Sequence, residues 1–511
     1  MLVRRFVALV IALLSIGGCS SGSGASDDPS TLTLAVSRIN ASLDPTEPLV
    51  TSFLRAYGAG ESLAKIRADG TVAPELAGSV RQSAPNRWTV ELRANAAFQS
   101  GVPVDAAAVR ASLERSRERN PLAANLLAGV RIAEAGPRSL LFDTDGPSPF
   151  LDYTLAHYEL QIHNVAGYAN QATPREVDLT GPFRVTGFSS ERELTLERNP
   201  RWWGPAPSVA RIVVRQVADP QARAQIALSG QADVVDLLPS ASVAELRSAD
   251  GLTLSGAPAA NTVAVYLNPA TPALADQRVR QALAWAVNRE EVAEVAGEGL
   301  SEPSPSWLAS NPAYPQADRQ GFTHHDPARA ARLLDEAGWV AGPDGRRAKD
   351  GRPLRLRLQT WGTEQPTGEV LQAQWRELGG TVELSHVDNA LAQQARQRGD
   401  WDAQTAAFTT LGNVPSLIAV QVGPDGSANY GRYRIPAAGP LIDKANAAPT
   451  AEERTAAILE LNALMAEVVP SIPVHPRPQA TAVSKRLTGF VPHPLQYENL
   501  VQPGYRLDGG P

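Results

Sequence analysis

At 511 residues the chain exceeds one small domain, and at roughly 100–200 residues per domain two or three are expected. Hydrophobic residues make up 43% and charged residues 20%, an ordinary globular balance, and a net charge of −6 excludes the basic excess of a nucleic-acid binder. The single cysteine excludes an intramolecular disulfide and a metal site built on a cysteine pair.

The first segment reads as an address. Arg4 and Arg5 form a basic start, and Phe6 to Leu14 is an apolar run. A permanent membrane helix needs about 20 apolar residues, so the run predicts a secretory signal instead. Gly17-Gly18-Cys19 resembles a bacterial lipobox. That resemblance implies a signal peptide over residues 1–18, cleavage before Cys19, and a lipid on Cys19. The following Gly/Ser/Asp stretch, SSGSGASDDP, predicts a flexible tether over 19–30. No later segment is apolar enough to read as a transmembrane helix.

Mixed α and β patterns follow. Leu32, Leu34 and Val36 alternate, as do Trp88, Val90 and Leu92, each predicting a strand with one buried face. Asp219-Pro220 places an N-cap and a proline at a helix start, and Gly230 closes that helix. Residues 232–238 predict a returning strand. Asp276 caps a helix with Val279, Leu283, Ala286 and Val287 on its apolar face. Asp326-Pro327 repeats the cap before Ala330, Leu333, Leu334 and Ala337, with Gly338 as the stop. Leu354, Leu356 and Leu358 alternate with Arg355 and Arg357, which predicts a strand whose arginines face solvent. Val370, Leu371, Gln374, Trp375 and Leu378 run at helical spacing to Gly379-Gly380, and 381–387 predicts another strand. Thr450 to Glu453 reads as a capping box ahead of Ile458, Leu461, Leu464, Met465 and Val468. Prolines after 470 predict an extended return segment. The alternation of helices and strands points to α/β lobes.

Catalytic patterns are sparse. The sequence holds no G-x-S-x-G, no H-E-x-x-H, no Walker A motif and no complete G-x-G-x-x-G. His324-His325-Asp326 is the one histidine cluster, and Asp326 there is accounted for as a helix cap. No catalytic residue, metal ligand or cofactor is therefore assigned. An exported chain without ATP motifs cannot drive transport, but it can bind a solute and hand it on.

Several segments carry a family resemblance. Val72-Ala73-Pro74-Glu75-Leu76-Ala77 is similar to the V-x-P-x-L-A motif of family 5 extracellular solute-binding proteins, the peptide-, opine- and nickel-binding components of ABC importers. WTVELRANAAFQSGVP at 88–103, the VDAAAVRASLER that follows, and Gly181-Pro182-Phe183 with LTLERNPRWWG resemble further family signatures. So do RVRQALAWAVNREEV at 278–292, DPARAARLLDEAGW and VVPSIPVHPRP. The resemblance spans about residues 31–480. It implies an α/β, two-lobed periplasmic-binding-protein type II-like fold with a hinge and an extra subdomain in lobe I. Lobe I is expected at 31–48, 183–268 and 476–511, the inserted subdomain at 49–182, and lobe II at 269–475. Trp88 and Leu92 are expected in the core, Pro103 and Asp105 at a helix start, and Arg280 and Arg289 in salt bridges.

The resemblance also implies ligand positions. The loop after Leu43-Asp44-Pro45 makes Leu49, Val50 and Thr51 candidates. Trp401-Asp402 leads to Ala407, Phe408 and Thr409, expected to present a backbone edge to a peptide. Leu411 falls where well-studied peptide binders carry an aspartate for the peptide's amino terminus, and no acid lies between Asp402 and Asp425. A buried ammonium without a carboxylate costs several kcal/mol, so a blocked or modified peptide, a neutral compound or an anion becomes a candidate ligand. Trp361, Asn413 and Tyr430 complete the expected ligand residues. Scattered histidines leave room only for a chelated metal. The expected role is the solute-binding component of an ABC importer, taking a peptide or peptide-like solute and closing by hinge motion. Its partners would be the permease subunits and, through Cys19, the outer face of the cytoplasmic membrane; the protein is expected to be a monomer that binds no nucleic acid. The alternatives are an exported hydrolase of peptides or esters, or a transporter-free binding scaffold.

Overall fold

The computed structural model describes residues 30–508 apart from 169–175, 257–259, 298, 310, 425 and 499. The signal peptide, Cys19 and nearly all of the tether expected at 19–30 lie outside the described residues.

One sheet has seven strands, in spatial order Leu252–Gly256, Ala480–Ser484, Val234–Val235, Thr31–Val36, Arg211–Gln216, Glu193–Arg198 and Phe183–Ser189. Thr31–Val36 sits between two parallel neighbours, with Leu32 opposite Ile212 and Leu34 opposite both Val214 and Val234. The strand is buried on both faces, not on one as the alternation predicts. Leu32, Leu34 and Val36 enter one core, while Ala35 packs with Ala224 and Ala227 of the helix Pro220–Leu228 on the other side. A central strand covered from both sides has no solvated face for its pattern to report.

A second sheet has five strands, ordered Thr381–His386, Arg355–Thr360, Ala403–Thr409, Asn261–Leu267 and Ser471–Pro476. Asn261–Leu267 pairs with Ala403–Thr409 along its whole length. The expected lobe boundary at 268/269 therefore falls after this strand rather than before it. The strand Leu252–Gly256 lies in the first sheet and Asn261–Leu267 in the second, and the chain crosses back to the first sheet between Ser471–Pro476 and Ala480–Ser484. The proline-rich return is the edge strand Ser471–Pro476, where Pro473 faces Ala264 and Pro476 faces Thr262. An edge is where a sheet tolerates a residue that donates no hydrogen bond.

Between Thr31–Val36 and Phe183–Ser189 the chain builds a separate four-stranded sheet, ordered Ala77–Ala84, Arg87–Leu92, Ser139–Thr144 and Val130–Gly136. Trp88 and Leu92 lie in its core, and Asp105 caps the helix Ala106–Arg119 by accepting from Ala108 N at 2.8 Å. Asp219, Asp276, Asp326 and Thr450 likewise cap their helices through side-chain oxygens. Residues 232–238 form a strand only at Val234–Val235.

Arg280 and Arg289 differ from expectation. Both are buried, and among the described residues neither forms an ion pair. Arg280 donates from Nε and Nη2 to Val468 O, the last carbonyl of the helix Ala451–Val468, and from Nη1 to Leu274 O. Arg289 donates from Nε to Ser304 O and Pro473 O and from Nη1 to Ala284 O. Each guanidinium ties distant loop and helix ends together through backbone carbonyls.

Candidate functional site

A cavity of about 920 Å³ lies where the two sheets and the inserted unit meet. The seven-stranded half contributes Ser37, Arg38 and Asp236 from loops at strand ends, and the helix Val50–Ala56 contributes Ser52, Phe53 and Ala56, with Tyr57 just beyond it. The inserted unit adds Tyr153, His157 and Tyr158. The five-stranded half adds Thr409, Leu411, Gly412 and Asn413, and the crossings add Ala260 and Gln479. Groups from both sides of a double crossing thus face one volume, the geometry of a cleft that opens and closes about a hinge.

Local chemistry explains how the lobe I wall is set. Leu49 begins its helix at φ +69° with no side-chain cap of its own. Glu159, fully buried, supplies the missing acceptor: it takes Leu49 N at 2.8 Å, Thr51 Oγ1 at 3.1 Å and Asn120 Nδ2 at 2.7 Å. A carboxylate at a helix N-terminus satisfies its free donors and its dipole. Val50 and Thr51 are then buried, Leu49 stays exposed, and Ser52, Phe53 and Ala56 reach the cavity.

Aromatic groups line much of the space. Tyr158 meets Tyr497 edge-on at 4.7 Å, and Tyr153 Oη donates to Gly70 O at 2.7 Å. Burial lowers the His157 imidazole to about 4, so it is neutral near pH 7. Burial, reinforced by the Asp236 charge, raises the Tyr57 phenol, which therefore stays protonated. Among the described residues Arg38 is the one lysine or arginine on the lining, and Asp236 the one carboxylate.

Of the expected ligand residues, Thr409, Leu411 and Asn413 line the cavity; the others do not. Thr409 Oγ1 donates to Asn261 Oδ1 at 2.9 Å, and Asn413 caps the helix Val414–Val422 through Ser416 N at 3.2 Å. Leu411 is 5% exposed and packs with Ala64, Ile66, Ala156 and Ala260. Ala407 precedes the lining on the same strand, and Phe408 stacks near Trp307 at 5.1 Å. Trp361 donates from Nε1 to Thr405 O at 2.7 Å, and Tyr430 lies against Tyr266 at 5.0 Å under the Arg396 guanidinium, both away from the cavity. Arg38, Tyr57, Asp236 and Gln479 were not anticipated. Each is an isolated polar residue at an element end, with no local pattern to mark it. Among the described residues, no three His, Cys, Asp or Glu side chains lie close enough to share a metal ion. Among them, too, no helix is long and apolar enough to cross a membrane.

Residues 71–426 match the family model for bacterial extracellular solute-binding proteins, family 5 Middle. The chain is 23% identical over 493 residues to the nickel-binding protein NikA of Staphylococcus aureus (strain NCTC 8325 / PS 47), covering 95% of this chain and 96% of that one. It is 25% identical over 405 residues to the probable D,D-dipeptide-binding periplasmic protein DdpA of Escherichia coli (strain K12), covering 74% and 72%. The crystal structure of NikA from Brucella suis in complex with Fe(III)-EDTA matches the fold with a TM-score of 0.80 at 22% identity, over 92% of this chain and 98% of that one. These matches favour solute binding over the hydrolase alternative. With a two-lobed fold, a cleft shared by both lobes and a family match over most of its length, the chain belongs to the bacterial extracellular solute-binding proteins, family 5, the solute-capturing components of ABC importers.

Proposed function

We propose that this protein captures a peptide or peptide-like solute between its lobes and delivers it, lobes closed, to a membrane permease. The observation that carries the peptide reading is a free strand edge at the cleft. Thr410 N donates to Ala260 O and Asn268 N to Asp402 O, so even-numbered residues of Ala403–Thr409 bond the strand Asn261–Leu267. Odd-numbered residues turn their N–H and C=O groups the other way. On that side the strand Arg355–Thr360 pairs only at Ala403 and Gln404, and the Trp361 indole takes Thr405 O. Among the described residues the edge at Ala407 and Thr409 is left without a neighbouring strand, and Thr409 opens onto the cavity. An extended backbone binds such an edge by strand addition. The relative named for nickel suggests a metal, but the described residues offer a bare ion no ligand set, so a metal would travel only within a chelate.

Native mass spectrometry of the purified full-length chain tests the reading. The expected result is a co-purified small mass that is lost on unfolding and whose fragments contain amide bonds. Absence of any such mass, with no thermal shift from a broad peptide pool, refutes it. The anchor belongs to the same reading: Cys19 would hold a monomer at the outer face of the cytoplasmic membrane. Cys19→Ala is then expected to move the chain from the membrane fraction to the soluble fraction; an unchanged distribution rejects the lipid.

A further inference from the structure

The lobe I wall of the cleft presents polar groups that the chain itself does not satisfy. Arg38 stands two residues past the strand Thr31–Val36, exposed to the cavity. Its position is fixed by the next residue, where Ile39 N donates to Gln216 Oε1 at 2.8 Å. Among the described residues its guanidinium has neither an ion-pair nor a hydrogen-bond partner. It lies over the Phe53 ring at 5.0 Å, a contact that orients its plane without using its N–H groups. Tyr57 is 1% exposed, lines the same cavity, and among the described residues its Oη has no hydrogen-bond partner. Gln479, at the second crossing, leaves Oε1 without a partner among the described residues, on the same lining.

Native structures rarely leave buried polar groups unsatisfied, so the buried Tyr57 hydroxyl, on the same lining as the exposed and unpaired Arg38 guanidinium, marks where a ligand's acceptor atoms belong. The guanidinium only donates, in a planar fork that matches a carboxylate. The Tyr57 hydroxyl, protonated, is a second donor. Among the described lining residues Arg38 is the single cation, enough to pair one carboxylate, and Asp236 on the same lining leaves no surplus positive charge for a polyanion. We propose that the cleft holds its solute through one carboxylate, bound by the Arg38 guanidinium with the Tyr57 hydroxyl as the second donor. This rests on the solute-binding reading above. It is compatible with Leu411 as well, because it places recognition on the acid end of the solute rather than on an amino terminus.

The test uses the full-length chain in detergent and three probes: a pool of tripeptides with free C-termini, the same pool C-terminally amidated, and a pool of small monocarboxylic acids. Calorimetric titration is expected to show binding in an acid arm and at least tenfold weaker binding of the amidated pool. Arg38→Gln should weaken that acid arm about thirtyfold, the loss of a charge-assisted hydrogen bond, and Tyr57→Phe about fivefold, the loss of a neutral one. Arg38→Gln should leave the unliganded melting temperature unchanged, since Arg38 is exposed and unpaired, which separates a binding defect from a folding one. Preference for the tripeptide acids assigns the carboxylate to a peptide terminus; preference for the monocarboxylic acids assigns it to a small organic acid. Equal binding of the amidated pool, or acid binding that survives Arg38→Gln, overturns the carboxylate site while leaving solute capture standing. Silence of all three probes also overturns it, whereas solute capture falls only with the co-purified mass.

Discussion

Leu411→Asp tests how the lobes meet. Leu411 leaves the strand Ala403–Thr409 of the five-stranded half and packs against Ala64 and Ile66 of the inserted unit. A Cβ placed on Gly70 would lie 3.2 Å from Leu411 Cδ1, so the fit is close. Because the contact joins the two halves, it exists only while they are together. Removing the leucine side chain from this site forfeits about 2 kcal/mol of apolar burial. The introduced carboxylate has no cation in that cluster, and burying it costs several kcal/mol unless the lobes part. A combined cost of at least about 4 kcal/mol shifts the open–closed balance toward open by roughly a thousandfold. Small-angle scattering should therefore show a larger radius of gyration for the unliganded variant. Tripeptides with a free amino terminus should restore compactness, because an ammonium compensates the new charge, and N-acetylated tripeptides should not. Unchanged scattering, or equal rescue by both peptides, refutes the reasoning.

Two further perturbations probe the frame around the cleft. Arg289→Lys should destabilise lobe II by about 3 kcal/mol in urea unfolding, since a point-like ammonium cannot serve Ser304 O, Pro473 O and Ala284 O at once; wild-type stability of the lysine variant would show that the fork is dispensable. Glu61→Gln addresses pH. Burial, with the neighbouring Glu75 charge, pushes the Glu61 carboxyl from 4.5 up to about 8, although the Trp202 and Trp203 indoles donate to it. The folded state thus holds a proton that the unfolded state releases, so this contribution to stability is full below about pH 4.5 and is lost as pH rises through about 8. Urea midpoints at pH 5, 7 and 9 should fall more steeply for wild type than for Glu61→Gln; parallel curves would reject the assignment.

Which parts of this fold are legible in the sequence follows from the range of the forces involved. Helix starts are legible because Asp105, Asp219, Asp276, Asp326 and Thr450 bond backbone two or three residues away. Strands with a solvated face are legible for a similar reason: in Arg355–Thr360 the leucines are buried and Arg357 reaches Asp400 and Asp402. Asn261–Leu267 is buried along nearly all of its length, so its pattern cannot say which sheet it joins. That choice is made by partners more than a hundred residues away, and the misplaced lobe boundary is the result. Gly181 shows the same limit from the other side. The motif Gly181-Pro182-Phe183 is visible, but its cause is tertiary: a Cβ there would stand 2.4 Å from Gly58 O.

The cleft is less legible than the frame, because it is made where elements stop. Thr409, Leu411 and Asn413 come from one strand end and the turn after it, so a single correct strand carries all of them into the cavity. Arg38, Tyr57 and Gln479 arrive from a loop, a helix end and a crossing that are far apart in the chain and meet only once the seven-stranded sheet is assembled. Leu49, Val50 and Thr51 miss the cavity because Glu159, a residue 110 positions from Leu49, starts their helix early enough to turn Ser52 and Phe53 inward instead. What distinguishes the lobe I wall is therefore not residue type but lack of a partner. The buried Arg280 and Arg289 bond several backbone carbonyls and act as struts, whereas Arg38 makes no such bond among the described residues and keeps its donors for the space between the lobes.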